Sequence, residues 1–367
     1  MNTQIQDKFT FKNGQTMRNR VVLAPMTICA SEPGGYVSQA DIDFFARRSR
    51  SVGMVITGST YVHPLGKSFA ESFSGAEDDK IEGLSRLAKA IKDQGALAIV
   101  QLYHGGRMVL PDLIDGQPVA PSAVKAPRDY LAEPRALKNS EVEQVIEDFL
   151  SAIRRAIQSG FDGVELHGAN TYLIQQFVSP HSNVRQDKWG GSLNNRLRFP
   201  KTLLKRAKQL VKEEADRPFL IGYRFSPEEI EEPGIQLYDT LQLLEQLIYH
   251  QVDYLHISTS DVWRSSIRDS QDSEPVIQKI IRKINGRVPL IGVGQIETKQ
   301  DAQRVLDAGI PLFALGKALL LDPDWAEKVV SGREAEVIRA YRDELQADLA
   351  LPTAFVEDAR SYLEGKD

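Results

Sequence analysis

Eight short apolar segments, each followed by a stretch of helical periodicity, recur between about residue 21 and residue 330, and this alternation limits the possible folds more than any other feature. The segments are VVLAPM (21–26), GMVITGST (53–60), LAIVQLYH (97–104), GVELHGAN (163–170), FLIGYRFS (219–226), DYLHISTS (253–260), VPLIGVGQ (288–295) and LFALGKAL (312–319). Most are continuously apolar, as strands covered on both faces have to be. Amphipathic stretches lie between them at 78–94, 141–159, 192–214, 238–250, 274–285 and 298–308. Ser140 followed by Glu143 reads as an N-terminal capping box, and Gly95, Gly160 and Gly309 each stand where a helix stops ahead of a strand. Strand and helix alternating eight times predict an α/β chain closed into a parallel (β/α)8 TIM barrel rather than an open sheet.

Two segments fall outside the repeat. FTFKNGQTMRNR (9–20) predicts a β-hairpin turning at Asn13-Gly14 and capping the bottom of the barrel. Residues 105–139, rich in Pro, Gly and Asp, are too long for a simple connection and follow the third strand, so they are expected to overhang the opposite face. No Gly/Ser-rich linker divides the chain. We expect a single domain over 1–367, with a barrel core at about 21–331 and a C-terminal helical extension at 332–367.

Composition narrows the function. The formal charge of −5 is scattered without long runs, which gives nucleic-acid binding no support. No apolar stretch approaches the roughly 18 residues of a membrane span and the N-terminus is too polar for a signal peptide, so a cytoplasmic protein is expected. Cys29 is the only cysteine, which excludes an internal disulfide, a multi-cysteine zinc site and a four-cysteine iron–sulfur cluster.

Barrels of this kind do chemistry at the C-terminal ends of their strands. There Gln101, His167, Asn170 and Arg224 are predicted to face one cavity, a concentration of hydrogen-bonding groups that solvated strand ends do not explain. Strands seven and eight end in Gly292-Val293-Gly294 and Gly316-Lys317, where glycines let backbone N–H groups approach a phosphate and Lys317 adds a counter-charge. No HxH or HExxH occurs, so no metal site is expected. Lys317 is the only strand-end lysine, which leaves a Schiff-base aldolase little support, and Cys29 has no evident base beside it and reads as a small core residue.

Residues 167–199, HGANTYLIQQFVSPHSNVRQDKWGGSLNNRLRF, resemble the signature segment of the Old Yellow Enzyme family, the FMN-dependent ene reductases. APMT, QLYHGGR, YRFS, GVGQI and LGKALLLDP agree in order, so the resemblance covers nearly the whole chain. It implies FMN across the top of the barrel, with Pro25, Met26, Thr27 and Gly58 lining the ring and Gln101 and Arg224 on its pyrimidine edge. Gly294, Gly316 and Lys317 would hold the phosphate. It further implies NADH or NADPH as reductant, His167 and Asn170 as donors to the carbonyl or nitro oxygen of an activated alkene, Tyr172 as proton donor to the α-carbon, and Tyr103 as an aromatic against the substrate.

By the same resemblance Arg185, Asp187, Trp189, Gly190, Gly191, Asn195 and Arg196 hold the loop after strand four in shape. Lys317 departs from the family's usual Arg, offering a point charge in place of a bidentate fork, and Thr27 stands where one branch carries a redox-tuning Cys. The iron–sulfur segment of the larger dienoyl-CoA reductases is not seen, so electrons are expected directly from the nicotinamide. A quinone, nitro or flavin reductase on the same scaffold is the alternative, followed by a non-catalytic flavin-binding barrel or a phosphosugar lyase. The partner is a small molecule, an activated alkene or quinone, with a homo-oligomer open.

Overall fold

Residues 3–364 are described in a computed structural model. The hairpin forms β1 (Phe9–Thr10) and β2 (Thr16–Met17), turning through Gly14 at φ +91°, a backbone region where glycine carries no Cβ penalty. The eight apolar segments become β3 (Val21–Leu23), β4 (Met54–Tyr61), β5 (Leu97–Tyr103), β8 (Gly163–Gly168), β9 (Leu220–Phe225), β10 (Tyr254–Ile257), β11 (Leu290–Val293) and β12 (Leu312–Leu315). All are parallel to their neighbours and close in the order β3-β4-β5-β8-β9-β10-β11-β12, so the predicted TIM barrel is the observed fold. The segment 105–139 adds β6 (Val119–Ala120) and β7 (Arg135–Ala136), a short parallel pair outside the barrel.

Two apolar layers hold these elements. Outward-facing strand residues meet the amphipathic helices in one large buried cluster. Inside the barrel Val22, Met54, Ile56, Ile99, Leu220, Tyr254, Ile291 and Leu312 pack on Phe11 and Met17 of the hairpin, which plugs that end as expected. Side chains at strand starts stitch neighbours together: the Asp162 carboxylate accepts from Ala98 N–H at 2.9 Å and the Asp253 carboxylate from Ile221 N–H at 2.7 Å.

Several boundaries differ from the sequence reading. The eighth strand stops at Leu315, and Lys317–Leu321 is a short helix that begins at Gly316. Ser140 is not a cap: the helix Asn139–Gln158 starts earlier, Lys138 is its N-cap, and the Glu141 carboxylate accepts from Lys138 N–H at 2.7 Å. Gly95, Gly160 and Gly309 do end helices, at φ +85°, +81° and +85°. Residues 332–364 contain two 3-10 turns and one α-helix, Thr353–Glu364, rather than helices throughout. Among the described residues no helix is long and apolar enough to cross a membrane.

Candidate functional site

Side chains alternate along a strand, so residues two apart on β8 point the same way. His167 and Glu165 therefore share the barrel interior, and strand register sets Gln101 level with Glu165, His167 level with Arg224, and Arg224 level with His256. Four adjacent strands thus deliver a polar layer to the C-terminal end. Glu165 and His256 are both 0 % exposed. One Glu165 oxygen accepts from Gln101 Nε2 at 2.8 Å and the other lies 2.9 Å from His256 Nδ1. Burial works to raise the Glu165 carboxyl, but His256, Arg224 and Gln101 outweigh it and hold it below its usual range. Burial, with the Arg224 charge, lowers His256 against the opposing pull of the Glu165 carboxylate, which leaves it a neutral imidazole donating through Nδ1.

Above this layer sits a group of donors. Burial and then the Arg224 charge push His167 well down, so it too is neutral, and its Nδ1 faces Ala169 N–H at 3.4 Å, which leaves the proton on Nε2. Asn170 adopts φ +57°, its N–H donating to Ser226 Oγ at 3.0 Å and its Oδ1 accepting from Ser258 Oγ at 2.8 Å. The amide oxygen is occupied and the NH2 group is free to donate. The Tyr172 ring stands edge-on to His167 with centroids 5.0 Å apart, and to Tyr103 at 5.2 Å. Burial pushes the Tyr172 phenol up to about 12. Arg128 and Tyr130 of the 105–139 segment both act on it electrostatically, in keeping with an overhanging segment. Tyr103 is fully buried and its hydroxyl accepts from Ser68 N–H at 2.9 Å, so it buttresses Tyr172 and Phe69 through its ring.

The other half of the rim is built for close approach. β4 bulges between Ile56 and Ser59, and a Cβ on Gly58 would stand 2.5 Å from the Met26 carbonyl oxygen. Thr27 Oγ1 accepts from Ser59 N–H at 3.1 Å, tying the Pro25-Met26-Thr27 turn to the bulge. Gly294 lies at φ +110° against the Ser260 backbone, where a Cβ would be 2.7 Å from a carbonyl carbon. Gly316 has only Met26 Sδ near, at 3.8 Å. The Lys317 ammonium sits 5.0 Å above the Tyr362 ring of the C-terminal helix, a cation–π contact absent from the sequence reading.

These residues fit FMN. Arg224 Nε is buried with no partner, and a buried unpaired donor is stabilised by a ligand that supplies an acceptor. The chemistry of the set matches an imide edge: an arginine for its oxygens and a Gln101 side chain whose Oε1 can accept.

Cys29 is not a buried core residue as expected: it is half-buried in the loop after β3 at φ +47°. Burial raises its thiol, with Asp358 and Glu71 adding to the effect, so it is a poor nucleophile. The loop after β8 is tied as expected. Arg185 reaches the carbonyls of Pro121 at 2.7 Å and Leu137 at 2.5 Å and pairs with Asp187 at 2.6 Å, while Arg196 Nε reaches the Val178 carbonyl at 2.8 Å. Sequence reading missed Glu165 and His256, although counting back by two from His167 along β8 finds the first of them.

A model of the NADH:flavin oxidoreductase / NADH oxidase family matches residues 7–336. The chain is 47% identical over 340 residues to an NADH:fumarate oxidoreductase of Klebsiella pneumoniae, covering 92% of this chain and 37% of that one. It is 43% identical to an NADH:acrylate oxidoreductase of Vibrio harveyi, covering 96% of this chain and 36% of that one. It therefore spans little more than a third of the length of these two relatives. Against the "Probable NADH-dependent flavin oxidoreductase YqiG" of Bacillus subtilis it is 44% identical, with 90% of this chain and 89% of that one covered. Among solved structures, morphinone reductase superposes with a TM-score of 0.80 at 25% identity over 97% of this chain and 93% of that one. An old yellow enzyme homologue from Zymomonas mobilis superposes with a TM-score of 0.77 at 26% identity over 90% and 93%.

Proposed function

The chain belongs to the NADH:flavin oxidoreductase / NADH oxidase family, and we propose that it is an FMN-dependent NAD(P)H oxidoreductase that reduces alkenes activated by a carbonyl or nitro group. The observation that carries this reading is the state of three donors at the end of β8. His167, Asn170 and Tyr172 each present a proton, and the acceptor atoms of the first two are already occupied.

FMN, bound by Arg224, Gln101 and the glycine-lined rim, would supply the two-electron reductant that the nicotinamide replenishes. The protein's own contribution is orientation and proton chemistry. His167 Nε2–H and the Asn170 amide would donate to the substrate's carbonyl or nitro oxygen, drawing electron density from the double bond and leaving the β-carbon electrophilic. Both donors are preorganised, one by its neutral tautomer and one by Ser258 and Ser226. Tyr172 would deliver a proton to the α-carbon. Its raised pKa keeps it protonated between turnovers, as a general acid has to be. Pro25, Met26, Thr27 and Gly58 would line the ring, Gly294, Gly316 and Lys317 the phosphate, and Tyr103 the aromatic wall behind Tyr172. Nicotinamide and alkene would use the same pocket in turn, a ping-pong cycle.

The names of the fumarate and acrylate relatives support an alkene acceptor, but each name describes a chain about two and a half times as long or more. That ratio favours one second reading: a unit that takes electrons from the nicotinamide and passes them to a quinone, nitro compound or another flavin, with Tyr172 idle. The test is to release and identify the chromophore of the purified protein, then add NADH or NADPH without oxygen, followed by an enone. FMN that bleaches and regains its colour with the enone supports the proposal. Bleaching followed by recovery only with a quinone supports the second reading, and a protein that cannot take up FMN contradicts both.

A further inference from the structure

The Glu165–His256 pair has no part in the chemistry above, yet it is the most deeply enclosed ionisable pair at this end of the barrel. Removing a carboxylate from water is costly unless it is paired and hydrogen-bonded, so its place among Gln101, His256 and Arg224 needs a reason. Charge counting supplies one. His256 and His167 are neutral and the Tyr254 phenol is held protonated by burial beside Glu165, so the layer contains one anion, Glu165, and one cation, Arg224. Hydrogen bonding supplies a second. With Nε2 of Gln101 committed to Glu165 at 2.8 Å, its Oε1, held only by Ser59 Oγ at 3.3 Å, has accepting capacity to spare.

We propose that Glu165 is a positioning residue for the flavin: it fixes the Gln101 amide with its oxygen toward a ligand N–H, and its charge balances Arg224 and thereby sets how readily the bound flavin accepts electrons. Reduction places negative charge on the flavin. Beside an Arg224 already balanced by Glu165, that charge is stabilised less than it would be beside an unbalanced one. His256, donating to the second carboxylate oxygen, keeps Glu165 ionised and its plane fixed. This inference rests on the FMN reading above.

The test is the midpoint potential and FMN dissociation constant of the FMN-loaded protein in Glu165→Gln and Glu165→Ala. Glu165→Gln keeps the shape and an acceptor for Gln101 while removing the charge. It is expected to favour the reduced form by at least tenfold, a rise of about 30 mV for a two-electron couple, with little change in FMN affinity. Glu165→Ala frees the Gln101 amide and is expected to weaken FMN binding at least tenfold. A wild-type potential in FMN-loaded Glu165→Gln, or wild-type affinity in Glu165→Ala, overturns the proposal.

If the variants do not fold, nitrogen NMR of the histidine-labelled wild-type holoprotein at pH 7 decides. His256 neutral with its proton on Nδ1 supports the charge balance, and a doubly protonated His256 overturns it. A wild-type protein that takes up no FMN removes the reading on which the inference rests, an outcome distinct from any of these.

Discussion

The two ends of the barrel are built from the same strands and serve opposite ends. At the hairpin end Ile99, Leu220 and Tyr254 point inward against Phe11 and Met17, and the interior is closed and apolar. Two residues further along β5 and β10, and four along β9, the inward positions are Gln101, His256 and Arg224. Here Arg224 Nε and His256 Nε2 are buried without partners. Each such atom costs about 1–3 kcal/mol, so the C-terminal end is stable only because the other end and the helical layer more than offset it. Apolar packing holds the barrel closed, and the polar layer is left ready for a ligand.

The largest expected effect breaks the stabilising end. Phe11→Ala opens a cavity against Tyr254 and should lower unfolding free energy by about 3–5 kcal/mol, measured by denaturant titration, with FMN affinity at low temperature unchanged. A loss of FMN binding in folded Phe11→Ala would mean that the two ends are not independent.

Next come the donors at the other end. His167→Ala and Asn170→Ala should each slow flavin reoxidation by an enone about 10²–10³-fold in stopped-flow measurements, with stability within about 1 kcal/mol of wild type. Equal losses in both half-reactions would assign these residues to FMN binding instead.

How much of this division was legible in the sequence follows from the same physics. The strands were readable because both faces are covered, which makes them continuously apolar, and the helix stops because Gly95, Gly160 and Gly309 adopt positive φ. The helix Gln39–Ser49 was not singled out, since its buried face includes Asp41 and Arg48, which blur the apolar stripe. Arg48 is accommodated by the Phe44 ring, 3.7 Å from its guanidinium carbon, and by the carbonyl of Leu349. At the candidate site, His167, Asn170, Tyr172 and Arg224 were singled out because they stand at or just past strand ends within recognisable motifs. Glu165 and His256 were passed over because a charged residue inside an apolar run is read as an interruption, not as part of an inward-facing row. The Lys317–Tyr362 contact joins positions 45 residues apart, one after the eighth strand and one in the C-terminal helix, and no local pattern announces it.

A smaller effect concerns pH. Burial holds His104 at about 3, and His167 well below its ordinary value. Both are neutral when folded and titrate normally near 6.5 when unfolded, so the unfolded state binds more protons in acid. Stability should be at its full value above about pH 6.5 and fall as pH drops below it, by up to about 1.4 kcal/mol per pH unit for each histidine. Denaturant midpoints that stay level between pH 6.5 and pH 5 would contradict the neutral assignment.

The smallest expected effect is at the rim. Tyr362→Leu removes the aromatic face that holds the Lys317 ammonium and should change FMN affinity by the worth of an exposed cation–π contact, about 0.5–1 kcal/mol, with Lys317→Arg tightening it. Equilibrium dialysis against FMN measures both. No change in either variant would take Lys317 out of the phosphate site.

The most direct measurement compares the two half-reactions in wild type and Tyr172→Phe, each loaded with FMN and followed by absorbance without oxygen. Reduction by the nicotinamide is predicted to be unchanged while reoxidation by an enone slows about 10²–10⁴-fold. Reoxidation as fast in Tyr172→Phe as in wild type would contradict alkene reduction with Tyr172 as the acid, and the unit would instead pass its electrons to an acceptor that needs no proton at carbon.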